Sequence, residues 1–138
     1  MILFDTNVVI DARDQRTAHG VRAAALVAGV VLSGEAAVNA IAFAELCVGQ
    51  AEGADVESEL LAAGFTILDV PFAAAAICGR AYTQYRRSRR RSGGGDAPRT
   101  PLPDFFIGAH AELLGWKLAT RDTQRYRLYF PKVELIEP

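Results

Sequence analysis

The sequence MILFDTNVVI at residues 1–10 places a single acid inside an apolar run. Residues 1–4 are continuously apolar, which is typical of a short strand that is buried on both faces. The run stops at Asp5 and resumes with valine and isoleucine at 8–10. Because an unpaired buried acid costs several kcal/mol, Asp5 either caps the helix that follows or faces a compensating partner.

Hydrophobic periodicity and turn residues predict that short strands alternate with helices along the chain. We predict strands at 1–5, 36–39, 65–70, 116–120 and 132–136, and helices at 6–12, 17–28, 41–47, 54–63, 72–90 and 103–114. This alternation indicates a parallel α/β sheet. A length of 138 residues is ordinary for one domain, so we predict a single domain over 1–138.

Composition argues against a membrane protein and against a secreted one. No stretch reaches the roughly 18 apolar residues that a membrane helix needs. The first apolar run follows no basic segment and is interrupted at Asp5, so we predict no signal peptide and a cytoplasmic location. Cys47 and Cys78 lie in Ala-rich segments without metal-ligand spacing, and we predict that both are buried core thiols.

Charge is distributed unevenly along the chain. Residues 1–79 carry 3 basic and 10 acidic residues, whereas residues 80–138 carry 12 basic and 6 acidic ones. A basic, glycine-rich segment at about 86–101, which we expect to be flexible, contains much of the positive charge. Its predicted RNA-binding residues are Arg86, Arg87, Arg89, Arg90 and Arg91. The segment is either a phosphate-contacting surface or a solvated helix end followed by a mobile tail.

Four acids fall among apolar neighbours or directly after predicted strands: Asp5, Glu45, Asp104 and Asp122. In open α/β sheets the ligand crevice lies beyond the carboxyl ends of the strands, which is where Asp5 and Asp122 are expected. Each acid also has a simpler explanation. Asp5 and Asp104 suit helix caps, Glu45 suits an exposed helix face, and Asp122 suits a turn.

If the four acids converge, a divalent cation is the simplest partner, because like charges repel strongly in a low dielectric. The motifs offer no comparable set of cations nearby. Arg121 adjoins Asp122, but neighbouring side chains on an extended segment point apart. A site made only of oxygen ligands selects Mg²⁺ or Mn²⁺ over Zn²⁺. We expect the two histidines, His19 and His110, to be structural.

Carboxylates with a metal, beside a cluster of arginines, favour phosphodiester hydrolysis. The ion would polarise the phosphoryl oxygen and activate water, and a second ion could stabilise the leaving oxygen. The sequence shows no Ser/His/Asp or Cys/His constellation, and it has no glycine-rich phosphate loop with its lysine.

Four motifs together resemble the PIN-domain ribonucleases, specifically the VapC toxins of prokaryotic toxin–antitoxin pairs. They are FDTN at 4–7, AEL at 44–46, PDFFIGAHA at 103–111, and TRDT at 120–123 followed by Arg125 and Tyr126. The motifs span nearly the whole chain in the expected order. The basic segment at 86–101 has no counterpart among them.

The resemblance implies a metal-dependent endoribonuclease with a three-layer α/β/α sandwich around a mainly parallel sheet. It also implies a homodimer that a VapB-type antitoxin binds and inhibits. Asp5 and Asp104 would be the main Mg²⁺ ligands, and Glu45 and Asp122 would complete the acidic pocket partly through waters. The residues that would orient these carboxylates by hydrogen bonds are Thr6, Asn7 and Thr120.

Two other functions compete with this interpretation. A phosphatase of the haloacid-dehalogenase type also places an aspartate after its first strand, but it needs a second acid where this chain has Asn7. The other alternative is a metal-binding or protein-binding PIN module without catalysis, although all four acids are present.

Overall fold

The computed structural model describes residues 1–48, 50–51 and 54–138. Within these ranges the chain forms a five-stranded sheet in the order β3-β2-β1-β4-β5, and every pair of neighbouring strands is parallel. The strands are β1 (Ile2–Phe4), β2 (Ala36–Asn39), β3 (Thr66–Leu68), β4 (Lys117–Ala119) and β5 (Leu135–Ile136). The predicted parallel sheet is confirmed, and the first strand of the chain occupies its centre.

Helices cover both faces of this sheet, so the chain is a three-layer α/β/α sandwich. In the described ranges they are α1 (Thr6–Arg13), α2 (Ala18–Leu32), α3 (Ala40–Val48), α4 (Val56–Ala62), α5 (Ala74–Arg91), α6 (Pro103–Leu114) and α7 (Thr123–Tyr129). Parallel strands need this cover because both of their faces are apolar. The centre of the sheet is fully buried at Leu3, Phe4 and Leu118.

Most predicted elements are confirmed, with shifts at their ends. Helix α2 runs to Leu32, beyond the predicted end at residue 28, and the chain turns away at Gly34, whose φ is 71°. Only glycine adopts that conformation without strain, so it ends the helix more effectively than the Gly29 within it.

Helix α7 is absent from the sequence prediction, in which a turn was the simpler explanation for Asp122. This helix has seven residues, and Tyr126 is its one buried side chain. Two turns with a single buried position give no usable periodicity, so packing rather than pattern forms the helix.

Aromatic side chains fix helices α5, α6 and α7 against one another. The ring of Phe105 on α6 lies 5.1 Å from Tyr82 and 5.4 Å from Tyr85 on α5, and 5.5 Å from Tyr129 on α7. This cluster sets the position of the N-terminal turn of α6 relative to α7.

The prediction for the cysteines is half right. Cys78 is buried, and burial raises the pKa of its thiol to about 11. Cys47 is exposed, because α3 buries Ala42 and Leu46 and leaves Cys47 on its outer side. No helix in the described ranges is both long enough and apolar enough to cross a membrane.

Candidate active site

Asp5 lies at the carboxyl end of the central strand and is 3% exposed. It occupies the N-cap position of α1, but its side chain makes no capping hydrogen bond, so the capping explanation is wrong. Its Oδ2 instead accepts hydrogen bonds from Asn7 Nδ2 at 2.7 Å, Thr120 Oγ1 at 2.7 Å and Tyr126 OH at 3.3 Å. All three groups donate to Oδ2. Among the described residues, none donates a hydrogen bond to Oδ1.

The environment of Asp5 favours its protonated form. Its pKa is raised from the ordinary value of about 3.9 to about 6 in total. Burial is the largest cause, the charges of Asp104 and Glu45 add to it, and the hydrogen bonds from Thr120 and Tyr126 act in the opposite direction. Burial also raises the pKa of the Tyr126 phenol well above its ordinary value, so this side chain stays a neutral donor. A cation near Asp5 would relieve this electrostatic cost.

Glu45 is brought to the same place by α3. Its Oε2 accepts a hydrogen bond of 2.6 Å from Thr6 Oγ1, at the first residue of α1. The side chain is half-buried, so the exposed helix face expected for it as a simpler explanation is wrong.

Asn39 sets the start of α3, and the sequence analysis missed it. The side chain is fully buried, and its Oδ1 accepts hydrogen bonds from the backbone N–H groups of Ile41 and Ala42 at 3.2 and 3.0 Å. An asparagine between a strand and a helix is a common N-cap, and that signal was available in the sequence.

Asp104 lies in the first turn of α6, where Pro103 begins the helix and Leu102 is the N-cap residue. Asp104 therefore does not cap this helix. With Asp5 and Glu45 it lines an open pocket of about 340 Å³, whose lining residues are Asp5, Thr6, Asn7, Ile10, Glu45 and Asp104. Three of the four predicted acids thus share one pocket.

Asp122 lies beside this pocket and not in its lining. It is the N-cap of α7, and its Oδ1 accepts a hydrogen bond of 3.4 Å from the backbone N–H of Arg125. Its own N–H donates to Thr120 Oγ1 at 3.1 Å, which links it to Asp5 through one hydroxyl. In this structure Asp122 caps a helix, where a turn was the simpler explanation for it.

Arg125 is the cation that the sequence analysis did not find. Its Nη1 contacts Asp104 Oδ2, and its Nε lies 3.3 Å from Asp122 Oδ2. The motifs were expected to offer no comparable set of cations near the acids. The structure adds this single arginine, because a helix that was not predicted begins at Thr123 and carries Arg125 to Asp104 and Asp122. Arg121 does point away from Asp122, as expected, and its Nη1 pairs with the carboxylate of Asp11 at 2.8 and 3.0 Å.

The residues predicted to orient the acids are placed to do so. Thr6 donates to Glu45, and Asn7 and Thr120 donate to Asp5. Asn7 is itself held, since its Oδ1 accepts a hydrogen bond of 3.1 Å from the backbone N–H of Arg121. The roles of these residues and of the acids in metal binding remain predictions.

The donor set fits a hard cation that keeps much of its water. In the part of the chain that the structure describes, no three His, Cys, Asp or Glu side chains are close enough to hold an ion directly. Mg²⁺ is commonly bound by one or two carboxylates and several waters, and the Asp5 and Asp104 carboxylates are ligands of that chemical type.

The histidines lie outside this pocket. His110 is 1% exposed, stacks on Trp116 at 6.0 Å, and lies 3.4 Å from the amide of Asn39, and burial lowers its pKa. His19 is exposed, with its Nδ1 2.8 Å from Arg22 Nη2.

Arginines on α5 make two different kinds of contact. Arg89 donates to the carbonyl of Gly94 at 2.8 Å, and Arg90 pairs with Asp96 at 2.9 Å, so both hold the following loop against α5. Other arginines line a groove of about 660 Å³ on α5. The residues of this α5 groove are Gly79, Arg80, Thr83, Gln84, Arg87 and Arg91.

Comparisons with known proteins agree with this fold. VapBC2 from Rickettsia felis, solved with a promoter DNA fragment, is 19% identical with a TM-score of 0.64, covering 100% of this chain and 99% of that one. FitAcB from Neisseria gonorrhoeae is 24% identical with a TM-score of 0.63, covering 99% and 96%. A toxin–antitoxin complex from Klebsiella pneumoniae is 25% identical with a TM-score of 0.57, covering 96% and 95%.

A search of curated protein sequences finds no match. The family model described as the PIN domain matches residues 2–131. The chain therefore belongs to the PIN domain family.

Proposed function

We propose that this PIN domain is a metal-dependent endoribonuclease and the toxin of a VapBC-type toxin–antitoxin pair. The observation that carries the proposal is the buried Asp5, whose pKa is raised to about 6 beside Glu45 and Asp104 in an open pocket. A fold gains no stability from three acids arranged in this way, so the arrangement suits a site that receives a cation.

Asp5 and Asp104 are the residues that would hold Mg²⁺ or Mn²⁺, with Glu45 acting through water. When bound, such an ion polarises a phosphodiester and lowers the pKa of water, so that water can attack at neutral pH. The chain itself orients the carboxylates. Thr120, Asn7 and Tyr126 fix one oxygen of Asp5, and Thr6 fixes Glu45.

The α5 groove is the proposed contact for RNA phosphates. Arg80, Arg87 and Arg91 follow one another at intervals of seven and four residues, which places them along one helix face. Their guanidinium groups suit bidentate phosphate contacts. Of the predicted RNA-binding residues, Arg87 and Arg91 belong to this groove, whereas Arg89 and Arg90 hold the loop. Arg86 is half-buried and does not line the groove.

A homodimer and a VapB-type antitoxin are the proposed partners. The solved relatives named above include VapBC and toxin–antitoxin complexes. The surface of this chain offers apolar area to such partners, because Phe72, Leu32 and Val48 are 95%, 88% and 87% exposed. Light scattering should give about twice the 14.9 kDa chain mass. Coexpression with a short reading frame directly upstream tests for the antitoxin.

One observation favours the alternative of a PIN module without catalysis. Arg125 already pairs with Asp104, so a carboxylate that the metal would use has a protein partner. In that case the acids would be a structural ion-pair network, and the chain would bind partners without cutting RNA.

Cleavage of a mixed RNA panel distinguishes the two functions. We expect wild-type protein to cut with Mg²⁺ or Mn²⁺ and not with EDTA, and Asp5→Asn to abolish cutting. Asp69→Asn is the matched control, because Asp69 also follows a strand but is exposed. Cutting in EDTA, or full activity of Asp5→Asn, would contradict the metal site. No cutting under any condition would favour the module without catalysis.

A further inference from the structure

Arg125 occupies a fixed position between two of the acids. It lies on α7, whose neighbouring residue Tyr126 is fully buried and anchors the helix beneath the site. The side chain of Arg125 is 35% exposed, so it is partly desolvated and still open to solvent. Its guanidinium contacts Asp104 Oδ2 through Nη1 and lies near Asp122 Oδ2 through Nε.

Asp104 is therefore shared between two environments. On one side it lines the pocket with Asp5 and Glu45, and its charge helps to raise the pKa of Asp5. On the other side it pairs with Arg125. A metal ion in the pocket and the guanidinium of Arg125 would compete for the same carboxylate.

We propose that Arg125 is an internal counter-ion that exchanges with the divalent cation at Asp104. Arg125 neutralises Asp104 when no metal is bound, and it withdraws to Asp122 when the metal binds. The inference rests on the metal-dependent function proposed above. It adds a residue that sets metal affinity and assigns Asp122 the role of holding the displaced arginine.

The geometry keeps the free-energy cost of this exchange small. A guanidinium presents five N–H donors in a planar fork, so it can release one carboxylate while it keeps the other. Asp122 is held in place independently of the metal pocket, because it caps α7 and donates its N–H to Thr120. Arg125 therefore keeps an ion-pair partner in both states.

Electrostatics gives the expected size of the effect. By Coulomb's law, a unit positive charge and a divalent cation roughly 6 Å apart in bulk water repel each other with an energy that equals about a tenfold change in affinity. Salt screens part of this at physiological ionic strength. We expect removal of the Arg125 charge to tighten metal binding by about three- to tenfold.

The first test is calorimetric titration of the full chain with Mn²⁺ after removal of metal. Arg125→Gln should bind Mn²⁺ about three- to tenfold more tightly than wild type, and Arg125→Lys, which keeps the charge, should remain close to wild type. Arg127→Gln is the matched control, since Arg127 is an exposed arginine on the same helix. Equal or weaker binding by Arg125→Gln, in a variant with the wild-type circular dichroism spectrum, would overturn the exchange.

The second test is a double-mutant cycle with Asp122→Asn. If Asp122 acts by holding Arg125, this substitution should weaken Mn²⁺ binding in the wild-type background and have a clearly smaller effect alongside Arg125→Gln. An equal loss in both backgrounds would show that Asp122 acts on the ion directly, which overturns its proposed role. If neither wild type nor Arg125→Gln binds Mn²⁺, both the exchange and the proposed metal-dependent function are overturned. If both proteins bind Mn²⁺ with the same affinity, only the exchange is overturned.

Discussion

The acidic pocket and the arginine-rich end of α5 are both concentrations of like charge, but they differ in burial and in the number of hydrogen bonds that hold their side chains. Asp5 is buried and fixed by three donors from separate elements. Arg87 and Arg91 are exposed along a helix face, where water and salt screen them. We infer that single substitutions in the pocket have large effects, and that substitutions on α5 have small effects that add.

The largest effect is expected from Asp5→Asn. The amide keeps the shape of the side chain but removes the charge, so cleavage should fall by more than about 100-fold, beyond the usual cost of losing an outer-shell partner. Initial rates on a fixed RNA at saturating Mg²⁺ measure this. A decrease of only a few-fold would place Asp5 outside the chemistry.

The stability of the metal-free protein should depend on pH through Asp5. Its pKa is about 6 in the native state and about 3.9 when unfolded, so between these values the native state binds more protons. The free energy of unfolding therefore falls as pH rises through this range, by about 3 kcal/mol in total.

Urea unfolding in EDTA from pH 4 to pH 7 measures this dependence. The Asp5→Asn variant lacks the titrating group, so its stability should rise relative to wild type as pH increases and level off above about pH 6. A constant difference between the two proteins across this range would contradict the raised pKa.

Thr120→Val should have an intermediate effect. The substitution keeps the side-chain volume but removes the donor to Asp5 and the acceptor for the N–H of Asp122. Metal affinity or activity should fall by about 10- to 100-fold, and the pKa of Asp5 should rise because its hydrogen bond with Thr120 lowers it. The pH profile of cleavage should move upward accordingly.

Thr66→Val is the control for that experiment, because Thr66 is exposed on β3 and lines neither the acidic pocket nor the α5 groove. It should leave both the rate and the pH profile unchanged. An unshifted profile in Thr120→Val would mean that its hydroxyl does not act through Asp5.

The smallest effect per residue is expected on α5. Replacing Arg80, Arg87 and Arg91 together by Gln should weaken RNA binding and reduce its salt dependence. The slope of the logarithm of the binding constant against the logarithm of salt concentration should become less negative by about 0.7 for each lost phosphate contact. The rate at saturating RNA should change little. Binding isotherms at several salt concentrations measure this.

The pair Arg89→Gln and Arg90→Gln is the comparison within the same helix, since these side chains hold the loop. It should leave the salt slope near that of wild type. An unchanged slope in the triple variant would remove the α5 groove from RNA binding. If the triple variant cleaves RNA at the wild-type rate but is no longer inhibited by the antitoxin, the α5 groove binds the antitoxin and not RNA.

The sequence by itself determined the framework of this protein. The apolar run before Asp5, the repeated change from strand to helix, and Pro103 at a helix start are local signals. They depend on burial and backbone preference within a few residues. They were enough to predict the parallel sheet. The carboxyl-edge rule placed Asp5 and Asp122 at one rim of it, whereas the structure puts Asp122 beside the pocket that Asp5 lines.

Only the tertiary structure decided how charge is balanced around that edge. Arg125 meets Asp104 because α6 and α7 pack through Phe105 and Tyr129, and no local pattern encodes the contact of side chains 21 positions apart. The same holds for Cys47, whose exposure depends on which side of α3 faces the core. Ion pairs and burial are set by packing between elements, so a periodic pattern identifies the elements and leaves their partners to the fold.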